Sequence, residues 1–121
     1  MIYHITSRTA WLAAQECGWY SAPTLASEGF IHCSGRDQIL QVANTFYLGA
    51  RDLLLLRIDE SRLRAELRWE APAHPDSETV ISFPDETVFP HLYGELNLDA
   101  VLQAVELAQT EEGFALPSNL P

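Results

Sequence analysis

The chain has 121 residues, about half of them apolar, enough for a single domain over 1–121 with a core that needs neither disulfide nor metal. Its formal charge is −10 and all seven basic residues are arginines, which argues against a general nucleic-acid binder, whose affinity comes from many cationic phosphate contacts. Cys17 and Cys33 lack CxxC spacing, no basic region leads into a long apolar run, and the Leu53 to Leu56 run is too short to cross a bilayer, so a cytoplasmic protein without a membrane span is expected.

"MIYHI" reads as a first strand, followed by Ser7 capping a helix through "RTAWLAAQEC" that Gly18 stops. Pro23 argues against regular helix in the loop that follows. "GFIHCS" is a second short strand, and Ser34 with Asp37 three residues on reads as a helix start. That helix carries Ile39, Ala43, Phe46 and Tyr47 on one face and ends at Gly49. "DLLLLRIDE" is apolar on both faces, as in a central strand, and "LRAELRWE" alternates, so a hairpin around Asp59 to Arg62 is expected to pair the two. A loop over 71–78 precedes strands at 79–83 and 87–96. Asn97 then reads as the cap of a last helix with Leu98, Val101, Leu102, Val105 and Ala108 inward, closed by Gly113 ahead of a C-terminal tail. The pattern is α+β, a mixed sheet with helices packed against it.

Two junctions share one grammar. At His4 and at His32 a strand ends, a serine follows (Ser7, Ser34), and a helix begins with arginine in its first turn (Arg8, Arg36). Helix starts offer unpaired N–H groups and positive potential, so neighbouring strands running the same way would bring both starts to one cleft suited to phosphate. In "FPHLYGEL", His91 and Tyr93 point the same way on an extended chain and could hold a planar ring. Glu70, at a strand end, alternates away from Trp69; its carboxylate could meet a ribose hydroxyl or a developing oxocarbenium ion. Glu28 is a weaker candidate of the same kind, and His74 reads as an exposed loop residue. His32 and Cys33 point to opposite faces and make a poor nucleophile pair. Three histidines and a glutamate could bind metal, but no HxH or HxxxH spacing supports it.

"MIYHITS", "EGFIHCS", "LRWE" and "FPHLYGEL" together resemble the bacterial family called domain of unknown function 952, over nearly the whole chain. That family is grouped with the ADP-ribosyltransferase-like superfamily, so the resemblance implies a split β-sheet and a cleft for NAD. It places His4 at the nicotinamide ribose and His32 in a role like the second histidine of RNA 2′-phosphotransferases. Ile5 stands where the superfamily has a glycine, and no clear counterpart of the toxin-type catalytic glutamate is present, Glu70 being the proposal. The expected function is an NAD-linked ADP-ribosyl- or phosphotransferase-like enzyme. Its catalytic residues would be His4, His32, Glu70 and His91, and its nucleotide would be held by Ser7, Phe30, Ser34, Arg36 and Tyr93. The alternatives are a non-catalytic nucleotide- or phosphometabolite-binding module and a histidine-based metal-binding protein.

Overall fold

The computed structural model describes residues 1–71, 87–111, 113–117 and 120. The strand expected at 79–83 and His74 lie outside the described residues. In chain order the elements are β1 (Ile2–Ser7), α1 (Arg8–Cys17), β2 (Trp19–Tyr20), α2 (Pro23–Glu28), β3 (Ile31–His32), a 3-10 turn (Arg36–Gln38), α3 (Ile39–Phe46), β4 (Leu53–Ile58), a 3-10 turn (Glu60–Arg62), β5 (Glu66–Glu70), β6 (Phe89–Tyr93), β7 (Leu96–Asn97), a 3-10 turn (Leu98–Ala100), β8 (Val101–Glu106), β9 (Gln109–Thr110) and β10 (Gly113–Phe114). The architecture is α+β, and every described strand pairing is antiparallel rather than mixed.

Two three-stranded sheets carry the fold, ordered β1-β4-β8 and β3-β6-β5. β4 is the central strand that its two-sided apolar run predicts. The sheets meet edge to edge: Tyr3 N–H donates to the Ser34 carbonyl at 2.8 Å, and Ser34 N–H returns the bond at 2.7 Å. This joint carries one surface across both sheets. On one side, Ile2, Leu54, Leu56, Ile58, Ile31, Cys33 and Leu92 pack with Trp11 and Ala14 of α1. On the other, Tyr3, Ile5, Leu53, Leu55 and Val105 pack beneath Ile39 and Ala43 of α3 and the C-terminal Leu120.

Several expectations are corrected. Pro23 opens α2 at its first position, where the missing N–H costs nothing. β5 pairs with β6, not β4, and Asp59 caps a 3-10 turn where the hairpin was expected. Ser34 caps no helix; the turn begins at Gly35, whose N–H donates to Gln38 Oε1. Phe46 is exposed rather than on the buried face of α3. The last helix is instead the strand β8, because β4 takes a second antiparallel partner that outweighs the helical spacing of the apolar residues. Gly113 sits in the β9–β10 hairpin at φ +112°, where an added Cβ would lie 2.5 Å from Asn44 Oδ1. Ser7 does cap α1, accepting from Ala10 N–H at 3.0 Å, and Gly18 closes it in the left-handed conformation.

His4 belongs to this framework. Its buried ring places Nδ1 2.6 Å from the His32 carbonyl and Nε2 2.8 Å from the Tyr20 hydroxyl, which lies 2.9 Å from Thr6 Oγ1. Burial lowers its pKa to about 4, against the smaller raising effect of the His32 carbonyl. The ring is therefore neutral near pH 7. A carbonyl only accepts, so Nδ1 holds the proton; the Tyr20 hydroxyl then donates to Nε2 and stays within hydrogen-bond distance of the Thr6 hydroxyl.

Two outcomes follow for stability. The unfolded His4 takes up a proton below its ordinary pKa of 6.5 while the folded ring does not. Stability therefore falls as pH drops from 6.5 toward 4, by up to about 3 kcal/mol from this residue. Urea titrations across that range read the slope, which His4→Gln flattens. Ser7→Ala costs about 1 kcal/mol through loss of the cap, read as a lower urea midpoint with unchanged m-value.

Candidate functional site

β6 is the middle strand of its sheet, and period-two alternation splits its residues cleanly. Leu92 turns to the core beside Ile31 and Leu67. Phe89, His91 and Tyr93 turn to the other face, with His91 directly opposite His32 on β3 and Arg68 on β5. By the same alternation Glu66, Arg68 and Glu70 of β5, and Phe30 and His32 around β3, share that face.

Two imidazoles meet there, ring centroids 5.5 Å apart and steeply inclined. Phe30 stacks on His91 at 4.2 Å and also touches the His32 and Tyr93 rings. Each histidine is tied to a carboxylate through one nitrogen. His32 Nε2 lies 2.9 Å from Glu28 Oε2, and His91 Nδ1 lies 3.0 Å from Glu70 Oε1. Glu28 is the last residue of α2; Gly29, at φ +90°, reverses the chain so that the carboxylate falls four residues before His32 and alongside it. The Tyr93 hydroxyl donates to the same Glu70 oxygen. Among the described residues, His32 Nδ1 and His91 Nε2 have no hydrogen-bond partner.

The electrostatics follow from this wiring. The Tyr93 and His91 hydrogen bonds hold Glu70 below the usual carboxylate range, and Glu70 in turn raises the Tyr93 phenol. Burial pushes His91 below its ordinary value, partly offset by the Glu70 hydrogen bond. His91 is thus neutral near pH 7, its proton on Nδ1 and a lone pair on Nε2. The His91 side chain is 2% exposed while those of His32 and Glu70 are 34% and 36% exposed, so the pair spans the boundary between core and solvent. Arg68 lies 4.7 Å over the Tyr93 ring and is ion-paired with Glu66 at 2.9 Å.

Of the residues singled out in the sequence, His32, His91, Glu70, Tyr93, Phe30 and the weaker candidate Glu28 converge. His4 does not join them. Tyr3 pairs with Ser34, two residues on from His32, so Tyr3 shares the His32 face and His4 points to the opposite side. The shared cleft between two helix starts is also absent. The Tyr3–Ser34 pairing is antiparallel, so the two chain segments run in opposite directions. Ser7 lies four residues beyond that pairing, about 13 Å along β1. Ser7 is a cap, Ser34 is buried at the joint, and Arg36 is an exposed residue of a 3-10 turn. Cys33 faces the core, where burial pushes its thiol up to about 12. Cys17 and Cys33 are both free thiols. Sequence reasoning passed over Arg68, although its place two residues before Glu70 puts it on the same face. Among the described residues no group of three or more His, Cys, Asp or Glu side chains is placed to hold a metal ion, and no helix is long and apolar enough to cross a membrane.

The family model described as a protein of unknown function, DUF952, matches residues 5–104. The chain is similar to protein CC0527 from Caulobacter crescentus. To its crystal structure it is 30% identical with a TM-score of 0.76, covering 93% of this chain and 90% of that one. To its solution structure it is 30% identical with a TM-score of 0.71, covering 93% and 89%. No curated protein matches this chain. With the family model spanning most of its length, the chain belongs to the DUF952 family.

Proposed function

We propose that the chain is an enzyme of ADP-ribosyl- or phosphotransferase type, acting on a nucleotide, with His91 and His32 as its acid–base pair. One observation carries this reading: two facing imidazoles are each held by a carboxylate through one nitrogen, with the other nitrogen uncommitted among the described residues. A carboxylate partner fixes tautomer and orientation, which a general base needs before its basicity matters. Neutral His91 Nε2 accepts a substrate hydroxyl proton, and His32 Nδ1 is the second transfer site. Anionic Glu70 supplies fixed negative charge beside them, as a ribosyl centre developing positive charge requires. Arg68, near Tyr93, suits a phosphorylated ligand. Free thiols are in keeping with the reducing cytoplasm expected from the sequence.

NAD is the ligand that the family resemblance implies and the first to test. Its fit is partial. The groups on the His32–His91 face suit a phosphorylated riboside. The ribose role expected of His4 has no counterpart, because both of its ring nitrogens are bonded inside the protein, and Ser7 and Ser34 share no cleft.

The second reading is a non-catalytic nucleotide- or phosphometabolite-binding module. It is favoured by Glu70 Oε1, which already takes hydrogen bonds from both Tyr93 and His91.

Thermal-shift measurements with NAD, ADP-ribose and mononucleotides, run beside a nicotinamide-release assay, separate the two. The enzyme reading expects stabilisation and release, with release lost in both His91→Gln and His32→Gln; stabilisation without release selects the module. Turnover unchanged in both variants overturns the role of the pair. The pH profile of kcat/KM is expected to rise with pH along an acid limb whose apparent pKa lies below 6.5, the ordinary histidine value. Glu70→Gln removes the carboxylate charge that, with its hydrogen bond, raises His91, and moves that limb lower still.

A further inference from the structure

The sheet joint creates a second feature on the face that holds the histidines. One row of paired residues crosses it: Ser34, Tyr3 of β1, Arg57 of β4 and Gln103 of β8. Paired residues on adjacent antiparallel strands project to the same side, so this row lies on the His32 side, one step beyond His32. The neighbouring row, Ile5, Leu55 and Val105, is hydrocarbon. The polar row is thus the rim of the α3 core, not its interior.

Three residues of the row, Ser34, Tyr3 and Arg57, carry unpaired polar atoms among the described residues. Ser34 is 5% exposed and Tyr3 is 3% exposed, yet neither hydroxyl has a hydrogen-bond partner among the described residues. Neither oxygen is among the fully enclosed unpaired ones, so what remains exposed includes the hydroxyls. Arg57 Nε is fully enclosed and unpaired, and the guanidinium makes no ion pair among the described residues. Arg8, Arg62, Arg64 and Arg68 each pair with a carboxylate, in a chain that has 17 acidic residues; Arg51 makes no ion pair among the described residues either but is exposed, whereas Arg57 is half-buried. Solvation of a long side chain explains an exposed guanidinium tip, but not a desolvated Nε donor on the same row of paired residues as two unpaired hydroxyls.

We infer that Ser34, Tyr3 and Arg57 form an anion subsite that takes a phosphoryl group of the ligand bound at His32 and His91. Guanidinium and hydroxyl donors on one row match the oxygens of a phosphate. Strand spacing puts the Ser34 and Arg57 backbones about 10 Å apart, with Tyr3 between them. This inference deepens the nucleotide reading and rests on it for the identity of the ligand; the subsite itself is tested without a nucleotide.

The test uses inorganic phosphate alone, titrated into the full chain with the arginine Nε–H resonances followed by NMR. The expected result is a saturable shift of the Arg57 resonance, persisting in His91→Gln and absent in Arg57→Met, with the Tyr3→Phe variant at least threefold weaker. An Arg57 resonance that does not move in the unaltered chain overturns the subsite, as does an equal phosphate response of the other arginines in Arg57→Met. AMP and adenosine are then compared. Tighter binding of AMP that is lost in Arg57→Met joins the subsite to the histidine pair. Phosphate binding at Arg57 with equal affinity for AMP and adenosine leaves an anion site but overturns its link to the nucleotide reading.

Discussion

The two backbone hydrogen bonds between Tyr3 and Ser34 decide which side chains can work together. They join the edge of one sheet to an extension of the other, and in doing so set a common parity of faces. Shifting that register by one residue would send His4 to the His32 side and Tyr3 into the α1 core. As it stands, the His4 ring lies on the inner face and its Nδ1 reinforces the joint from the first sheet to the His32 carbonyl. The residue that supports His32 from behind is thus a neutral, buried imidazole that uses both its nitrogens for structure.

The outer face has the opposite character. It collects four titratable groups, Glu28, His32, Glu70 and His91, around one aromatic ring, Phe30. Burial of His91 favours its neutral form, and the carboxylate beside it favours the charged form. That balance, and not burial or charge alone, keeps the ring neutral yet oriented. The same carboxylate is held by a phenol, which removes the freedom of Glu70 to swing away. Rigid orientation of a weak base is what proton transfer asks of a protein, and it is also what selective binding of a planar, phosphorylated ligand asks.

Much of this was legible in the residues because strand alternation is a local rule. The shared direction of His91 and Tyr93, the turn of Glu70 away from Trp69, and the separation of Cys33 from His32 all follow from counting by two. What was not legible depended on partner choice. The β5 strand alternates as expected, but nothing in "LRWE" says that it pairs with β6 rather than β4. Leu98, Val101, Leu102, Val105 and Ala108 recur at helical spacing, yet Val101, Gln103 and Val105 also alternate, and the open edge of β4 selects the strand. The misplacement of His4 came from assuming two parallel neighbours where the chain makes an antiparallel bridge. The family resemblance drew attention to the right histidine motifs but could not assign their faces.

The central claim is that His32 and His91 are held by carboxylates in fixed and complementary tautomers. Long-range proton–nitrogen correlation spectroscopy of the histidine rings near neutral pH reads this directly. The account predicts a His91 proton on Nδ1 with a bare Nε2, and a His32 proton on Nε2 facing Glu28, each arrangement lost when Glu70 or Glu28 respectively becomes alanine. Rapidly averaged tautomers at both rings in the unaltered protein would contradict it.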